Sequence, residues 1–262
     1  MQYLYSCHTD TGIRRKINQD AFVVKAAKIE GEVFLLAAVC DGVGGFSCGE
    51  KASGEVILSF ADWFDYELPQ VSNAEEDCDT VILHRWKQLV DMLNRKLDNY
   101  GRRQNMRLAT TATIVLFAWN KYYVCHVGDC RLYAINSEVR QITRDHSLVE
   151  QEVEAGRLTL EQAERDSRQN IILQCIGAME EVTPDLLIGR VESDTTYLLC
   201  SDGFRHRVRK EELKEGFFPD ILDGPDTMKE QQIKLTELAK NRGEKDNITV
   251  ITIKAVGEDW QE

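Results

Sequence analysis

Proline is scarce, 4 in 262 residues, and no segment repeats another or falls into low complexity. Disorder and repeat architectures are therefore not expected. No stretch approaches the roughly 20 consecutive apolar residues that a membrane span requires. Met1–Asp10 has neither a basic region nor a long apolar run, so no secretion signal is read. Cations are in the minority, 32 Lys plus Arg against 44 Asp plus Glu, for a net charge of -12. A field of that sign repels nucleic acid and anionic membranes and tolerates metal cations, so neither nucleic acid nor membrane is an expected partner. The 8 cysteines (Cys7, Cys40, Cys48, Cys78, Cys125, Cys130, Cys175 and Cys200) contain no Cys-x-x-Cys pair and no regular spacing. That pattern disfavours a zinc site and predicts reduced thiols in a cytoplasmic protein.

What the chain does have is 43% hydrophobic and 29% charged residues. At this length about three quarters of the unfolded surface can be buried. Runs rich in Val, Ile, Leu and Tyr predict strands over Tyr3–His8, Ala21–Ile29, Val33–Cys40, Thr110–Ala118, Tyr122–Val127, Arg131–Ile135, Leu186–Val191, Thr196–Cys200 and Asn247–Ile253. The closely spaced strands between Thr110 and Ile135 suggest an antiparallel meander. Helical spacing predicts helices over Glu50–Phe64, Thr80–Tyr100 and Thr227–Asn241. The fold class is therefore α+β, with sheets packed face to face and helices outside. Ser147–Met179 reads as an inserted, partly mobile segment, with a capping box at Thr159-Leu160-Glu161-Gln162.

Acids recur at the strand tips. Asp41-Gly42, Gly128-Asp129 and Asp202-Gly203 each follow an apolar run, Asp246 precedes one, and Asp20 opens another. A single Asp-Gly at a strand end is ordinary turn chemistry. Four or five half-desolvated carboxylates repel one another unless a cation joins them. Oxygen donors without a His/Cys cluster suit Mg²⁺ or Mn²⁺, with the Gly42 carbonyl as a further ligand. Arg14-Arg15-Lys16 sits just ahead of Asp20, and arginine is suited to bidentate capture of phosphate. Asp41-Gly42-Val43-Gly44-Gly45 lacks the spacing and the Lys-Ser/Thr of a P-loop.

Seven strings occur in order: Arg15-x-x-Asn18-Gln19-Asp20, Asp41-Gly42-Val43-Gly44-Gly45 with Gly49-Glu50-x-x-Ser53, and Thr110-Thr111-Ala112-Thr113. Val127-Gly128-Asp129-Cys130-Arg131, Thr143-Arg144-Asp145-His146-Ser147, Ser201-Asp202-Gly203 and Asp246-Asn247-Ile248-Thr249-Val250 follow. Taken together they resemble metal-dependent serine/threonine phosphatases of type 2C, and the bacterial branch most closely. The resemblance spans about Cys7 to Ile253. It implies one catalytic domain over 1–262, built as a four-layer α/β-β/α sandwich of two antiparallel sheets flanked by helices. By the same resemblance, Asp41 bridges two Mn²⁺ or Mg²⁺ ions and Gly42 gives its carbonyl to one. Asp202 and Asp246 complete the other, and Asp20 holds coordinated water. Asp129 with Asp202 holds a third, weaker ion, Arg15 binds the phosphate, and 147–179 is a flap beside the site. Asp41, Asp202, Asp246 and Arg15 are then the catalytic set.

The activity so implied is hydrolysis of phosphoserine and phosphothreonine in phosphorylated proteins, by hydroxide generated between two metals, opposing a serine/threonine kinase. No cysteine nucleophile is needed, and no Cys-x5-Arg phosphate loop is expected. Val43 stands where eukaryotic members often carry a histidine. His146 is expected to hydrogen-bond structurally and His206, between arginines, to be solvated. Cys130 replaces a usual serine and brings a thiol near the metals. The alternatives are a pseudophosphatase acting as a binding module, or a phosphatase dedicated to an anti-sigma-factor antagonist.

Overall fold

The structure is a computed structural model that describes residues 1–29, 31–43, 48–72, 77–163 and 165–257. Its strands form two antiparallel sheets of five. One sheet is ordered β1 (Gln2–Asp10), β10 (Ile248–Val256), β9 (Thr195–Cys200), β6 (Arg131–Ile135), β7 (Val139–Gln141). The other is ordered β2 (Asp20–Ile29), β3 (Glu32–Asp41), β4 (Ala112–Ala118), β5 (Lys121–Val127), β8 (Asp185–Arg190).

The alternation along β3 shows why the layers form. Leu35, Ala37 and Val39 point between the sheets, where they meet Phe117, Val124, Leu132, Tyr197, Leu199, Ile251 and Ile253. Phe34, Leu36, Ala38 and Cys40 point the other way, against two long helices. A strand apolar on both faces has to be covered on both, so a third layer is obligatory. That layer is α1 (Gly49–Tyr66) and α3 (Cys78–Gln104), joined by α2 (Leu68–Ser72). Their stripes of Ala52, Val56, Ile57, Phe60 and Phe64, and of Ile82, Trp86, Leu93 and Leu97, are buried as the helical spacing predicts. On the opposite side α7 (Lys210–Phe217) and α8 (Pro225–Asn241) cover Leu198, Cys200, Ile248 and Val250. The result is the four-layer α+β sandwich expected.

The meander expected between Thr110 and Ile135 is overturned. β4 and β5 form a hairpin, but β6 joins the other sheet beside β9. The switch is made at Gly128, whose φ of +106° is open only to glycine at low cost. The segment 147–179 carries α4 (Leu148–Glu154) and α5 (Leu160–Ala163), with the capping box formed by Thr159 and Gln162. It is tied back to the body at Thr110, which exchanges backbone hydrogen bonds with Ile176 at 2.9 and 3.0 Å. One further short helix, α6 (Asp202–Arg205), begins directly at the end of β9. Among the described residues, no helix is long and apolar enough to cross a membrane.

Candidate active site

Asp20 and Asp41 face each other as register partners at the ends of β2 and β3. Asp202 follows β9 and Asp246 precedes β10, both from the opposite sheet. The acids therefore meet at one end of the sandwich, across the seam between the sheets. The Ser201 hydroxyl donates to Asp20 Oδ2 across that seam at 2.8 Å.

Backbone interactions fix the Asp41-Gly42 tip. The Asp41 carbonyl accepts from the Thr111 N–H at 2.8 Å and the Thr110 hydroxyl at 2.9 Å, and the Gly42 N–H donates to the Gln19 carbonyl at 3.1 Å. Only glycine fits at 42, because a Cβ there would lie 2.6 Å from the Gly49 backbone at the start of α1. The Ser53 hydroxyl, one turn into α1, donates to the Gln19 carbonyl at 2.6 Å. Gly44 and Gly45 of the same motif lie outside the described residues.

The electrostatics are those of crowded carboxylates. Burial, outweighing hydrogen bonds from Thr249 and Ser201 and reinforced by Asp202 and Asp246, pushes Asp20 up to about 7. Asp41 is driven well above the usual carboxylate range by burial and by Asp20, Asp202, Asp129 and Asp246. Burial also raises Asp202, against the pull of Arg205. Asp20 Oδ1 and Asp202 Oδ1 are buried without any hydrogen-bond partner.

Arg15 is the cation at this cluster. Its Nε and Nη2 donate to Asp246 Oδ1 and Oδ2 at 2.9 and 2.7 Å. The loop carrying Arg15 is held by Asn247, which accepts from the Gln19 N–H at 2.9 Å and donates to the carbonyls of Thr11 at 2.8 Å and Ile17 at 3.2 Å. Among the described residues no group of His, Cys, Asp or Glu forms a ready-made metal cage. What fits a cation is the chemistry of the donors: four acids against one guanidinium, oxygen throughout, with two buried oxygens unpartnered.

Asp129 borders this cluster and carries its own cation, Arg205 Nη2, 3.2 Å from Oδ2; burial and then Asp202 outweigh that arginine and push Asp129 up to about 7. His146 is buried, with Nδ1 accepting from the Gly128 N–H at 3.3 Å and Nε2 3.3 Å from Asp185. It is structural, as the sequence suggested. His206 departs from expectation. Its side chain is only 10% exposed, wedged between Asp202 and Glu244, and burial followed by Arg205 lowers it to about 4. It is thus a neutral wall of the site, not a solvated residue.

Neither Cys125 nor Cys130 is set up as a nucleophile. Cys125 and Arg131 do stand at Cys-x5-Arg spacing, contrary to the expectation from the sequence. Cys125, however, is a fully buried β5 residue whose thiol is pushed up by burial, and Arg131 is committed to Asp145. Cys130 is equally buried beside Thr111 Oγ1 at 3.2 Å, its thiol raised by burial and by Asp41 and Asp129. All eight cysteines are free thiols.

Beside Asp246 opens a cleft of about 480 Å³ lined by Arg14, Arg15, Arg207 and Lys245, with Gln169 and Asn170 of the 147–179 segment on its far side. Of these, only Arg14 and Arg15 carried a local signal. Arg207 and Lys245 come from distant loops and join them through the fold.

These features have close relatives. Residues 9–240 match the protein phosphatase 2C family. The chain is 31% identical over 255 residues to the protein phosphatase PhpP of Streptococcus pneumoniae, covering 96% of this chain and 97% of PhpP. It is similar to the crystal structure of the serine/threonine phosphatase Stp1 from Staphylococcus aureus, with a TM-score of 0.84, 30% identity and coverage of 98% and 96%. It is also similar to the catalytic domain of the serine/threonine protein phosphatase PstP in complex with 2 manganese ions, with a TM-score of 0.77, 29% identity and coverage of 97% and 99%. With the strand-tip acids, the two-sheet sandwich and this match over most of its length, the chain belongs to the protein phosphatase 2C family.

Proposed function

We propose that this protein removes phosphate from phosphoserine and phosphothreonine in phosphorylated proteins, opposing a serine/threonine kinase, with a pair of Mn²⁺ or Mg²⁺ ions. The observation that carries this reading is the meeting of Asp20, Asp41, Asp202 and Asp246 from two sheets with Arg15 as their cation. Asp41 and the Gly42 carbonyl would hold one ion, Asp41, Asp202 and Asp246 the other, and Asp20 would orient their hydration. Such a pair, when bound, makes water nucleophilic near neutral pH and offsets charge on the phosphoryl oxygens.

The chain's own residues supply the rest. Arg15 presents a planar fork that matches two phosphoryl oxygens as it matches the Asp246 carboxylate. Asn247 fixes the position of that fork through the loop it binds. The basic cleft draws a phosphopeptide to this end of an otherwise acidic molecule. His206, held neutral, serves as a wall and not as a proton donor. Free thiols throughout support a cytoplasmic site of action.

The test is phosphate release from a phosphothreonine peptide with Mn²⁺, with and without excess EDTA, for wild type and Asp41→Asn. Turnover abolished by EDTA and lowered by orders of magnitude in the variant is expected. Full activity in chelator would overturn the reading.

A further inference from the structure

Two clusters of buried acids lie at this end of the sandwich, and their charge balances differ. Of Asp20, Asp41, Asp202 and Asp246, only Asp246 is paired directly with a guanidinium, that of Arg15, and Arg205 acts on Asp202 from the neighbouring cluster. Asp129 and Asp145 share two, those of Arg205 and Arg131. Asp129 is 1% exposed, and its Oδ2 lies 3.2 Å from Arg205 Nη2. The same nitrogen lies 3.3 Å from Asp145 Oδ2, and Arg205 Nε donates to the Asp129 carbonyl at 3.3 Å. Arg131 grips Asp145 from the other side through Nε at 2.8 Å and Nη2 at 2.7 Å, and its Nη1 donates to the Tyr133 hydroxyl at 3.0 Å. The first cluster sets four acids against one directly paired guanidinium, and the second pairs two acids with two.

Arg205 reaches Asp129 because it ends α6, the single turn that begins at Asp202. One turn therefore delivers an acid to the first cluster and a cation to the second. A guanidinium does not deprotonate in a protein, and Arg205 cannot swing away without also giving up its 3.3 Å contact with Asp145. Asp129 retains one unpartnered oxygen, Oδ1. A divalent ion approaching that oxygen meets an arginine across the same carboxylate, in surroundings where like charges are poorly screened.

We infer that Arg205 is the resident counter-ion of Asp129, so that this chain closes, with its own side chain, the third cation site to which Asp129 would otherwise contribute. The inference rests on the cation pair proposed above. It gives Arg205 a positioning role: it sets the number of metal ions the protein holds, without touching substrate.

The test is Mn²⁺ binding to the full chain, followed by calorimetry and by metal analysis after dialysis. Wild type, Arg205→Gln and Asp129→Asn are compared. Two ions are expected in wild type and in Asp129→Asn. Arg205→Gln should gain a third binding event, at least about tenfold tighter than any further binding to wild type, as removal of one buried like charge allows. A melting temperature that falls in EDTA and recovers more with Mn²⁺ than that of wild type would mark the same exchange of arginine for metal. Three ions in wild type, falling to two in Asp129→Asn, would overturn the inference, as would a folded Arg205→Gln that still binds two. If Arg205→Gln does not fold, the comparison of wild type with Asp129→Asn decides alone. A wild type that binds no Mn²⁺ would instead remove the cation pair, and the inference with it.

Discussion

Asn247 and Arg15 show how residue-scale roles divide between sequence and fold. The strand-tip acids were legible because an Asp beside an apolar run has few bland explanations when it recurs. Asn247 lies in the same motif as Asp246, yet its task of pinning a loop some 230 positions earlier has no local signature. Asn247→Ala should leave the Gln19 N–H and two carbonyls without their partner, at about 1–3 kcal/mol per buried unsatisfied group. Denaturant unfolding should register that loss, and phosphopeptide affinity should fall with it because Arg15 is no longer held. Unchanged affinity in a folded variant would separate Asn247 from the substrate site. Arg15→Ala should weaken phosphopeptide binding by about 1.5–3 kcal/mol for a lost charge-assisted contact. Metal affinity should hold or rise, since Arg15 now occupies the Asp246 carboxylate. Calorimetry that showed loss of metal would reassign Arg15. Arg205 and His206 were illegible for a related reason: their partners Asp129 and Glu244 are distant in sequence.

At the scale of elements, periodicity did most of the work. The strong strands and the three long helices fall where alternation and helical spacing put them, with ends differing by a few residues. β7, three residues long with two of them exposed, carries too little pattern to be read. The assignment of β6 to the wrong sheet has a different origin. Sequence spacing tells that strands are consecutive, whereas a glycine at positive φ decides whether the next strand pairs or leaves. The junction of β3 with α1 makes its own prediction. Gly42→Ala sets a Cβ against the Gly49 backbone, so either the tip or the helix must shift. Overpacking of this kind costs about 1–3 kcal/mol. The proposed metal ligands at Asp41 and Gly42 should move with it, so Mn²⁺ affinity should fall along with the melting temperature. A variant with native Mn²⁺ affinity would show that the tip does not depend on that contact.

The whole molecule's stability follows from its crowded end. Unfolded carboxylates titrate near 4, whereas folded Asp20 titrates at about 7. Between those values the folded state holds a proton that the unfolded chain has released. Asp20 should therefore subtract stability from the metal-free protein as pH rises from about 4 to 7, while His206, lowered to about 4, adds stability between about 4 and 6.5. With Mn²⁺ the sign reverses, because the ion binds the ionised acids and its contribution grows with pH. Saturation at a hundredfold excess over Kd adds about 2.7 kcal/mol. Asp41→Asn replaces a buried acid whose ionisation its neighbours oppose, so in EDTA it should melt no lower than wild type, and in Mn²⁺ it should melt lower. Thermal melts across pH in both buffers check both statements. Equal destabilisation of Asp41→Asn with and without metal would make Asp41 a turn residue only.

The seam between the sheets has a kinetic consequence. Asp20 and Asp41 come from one sheet, Asp202 and Asp246 from the ends of strands in the other, with most of the sequence between the two pairs. No local segment can assemble these donors, unlike a zinc finger, whose ligands lie close together in the chain. A cation can be captured only after the sheets have docked, when the folding barrier has been crossed. Mn²⁺ should therefore leave the refolding limb of a chevron unchanged and slow the unfolding limb alone. The bound ions would act as a latch on the finished protein and take no part in its assembly, and an accelerated refolding phase in Mn²⁺ would show that the seam forms earlier than its topology implies.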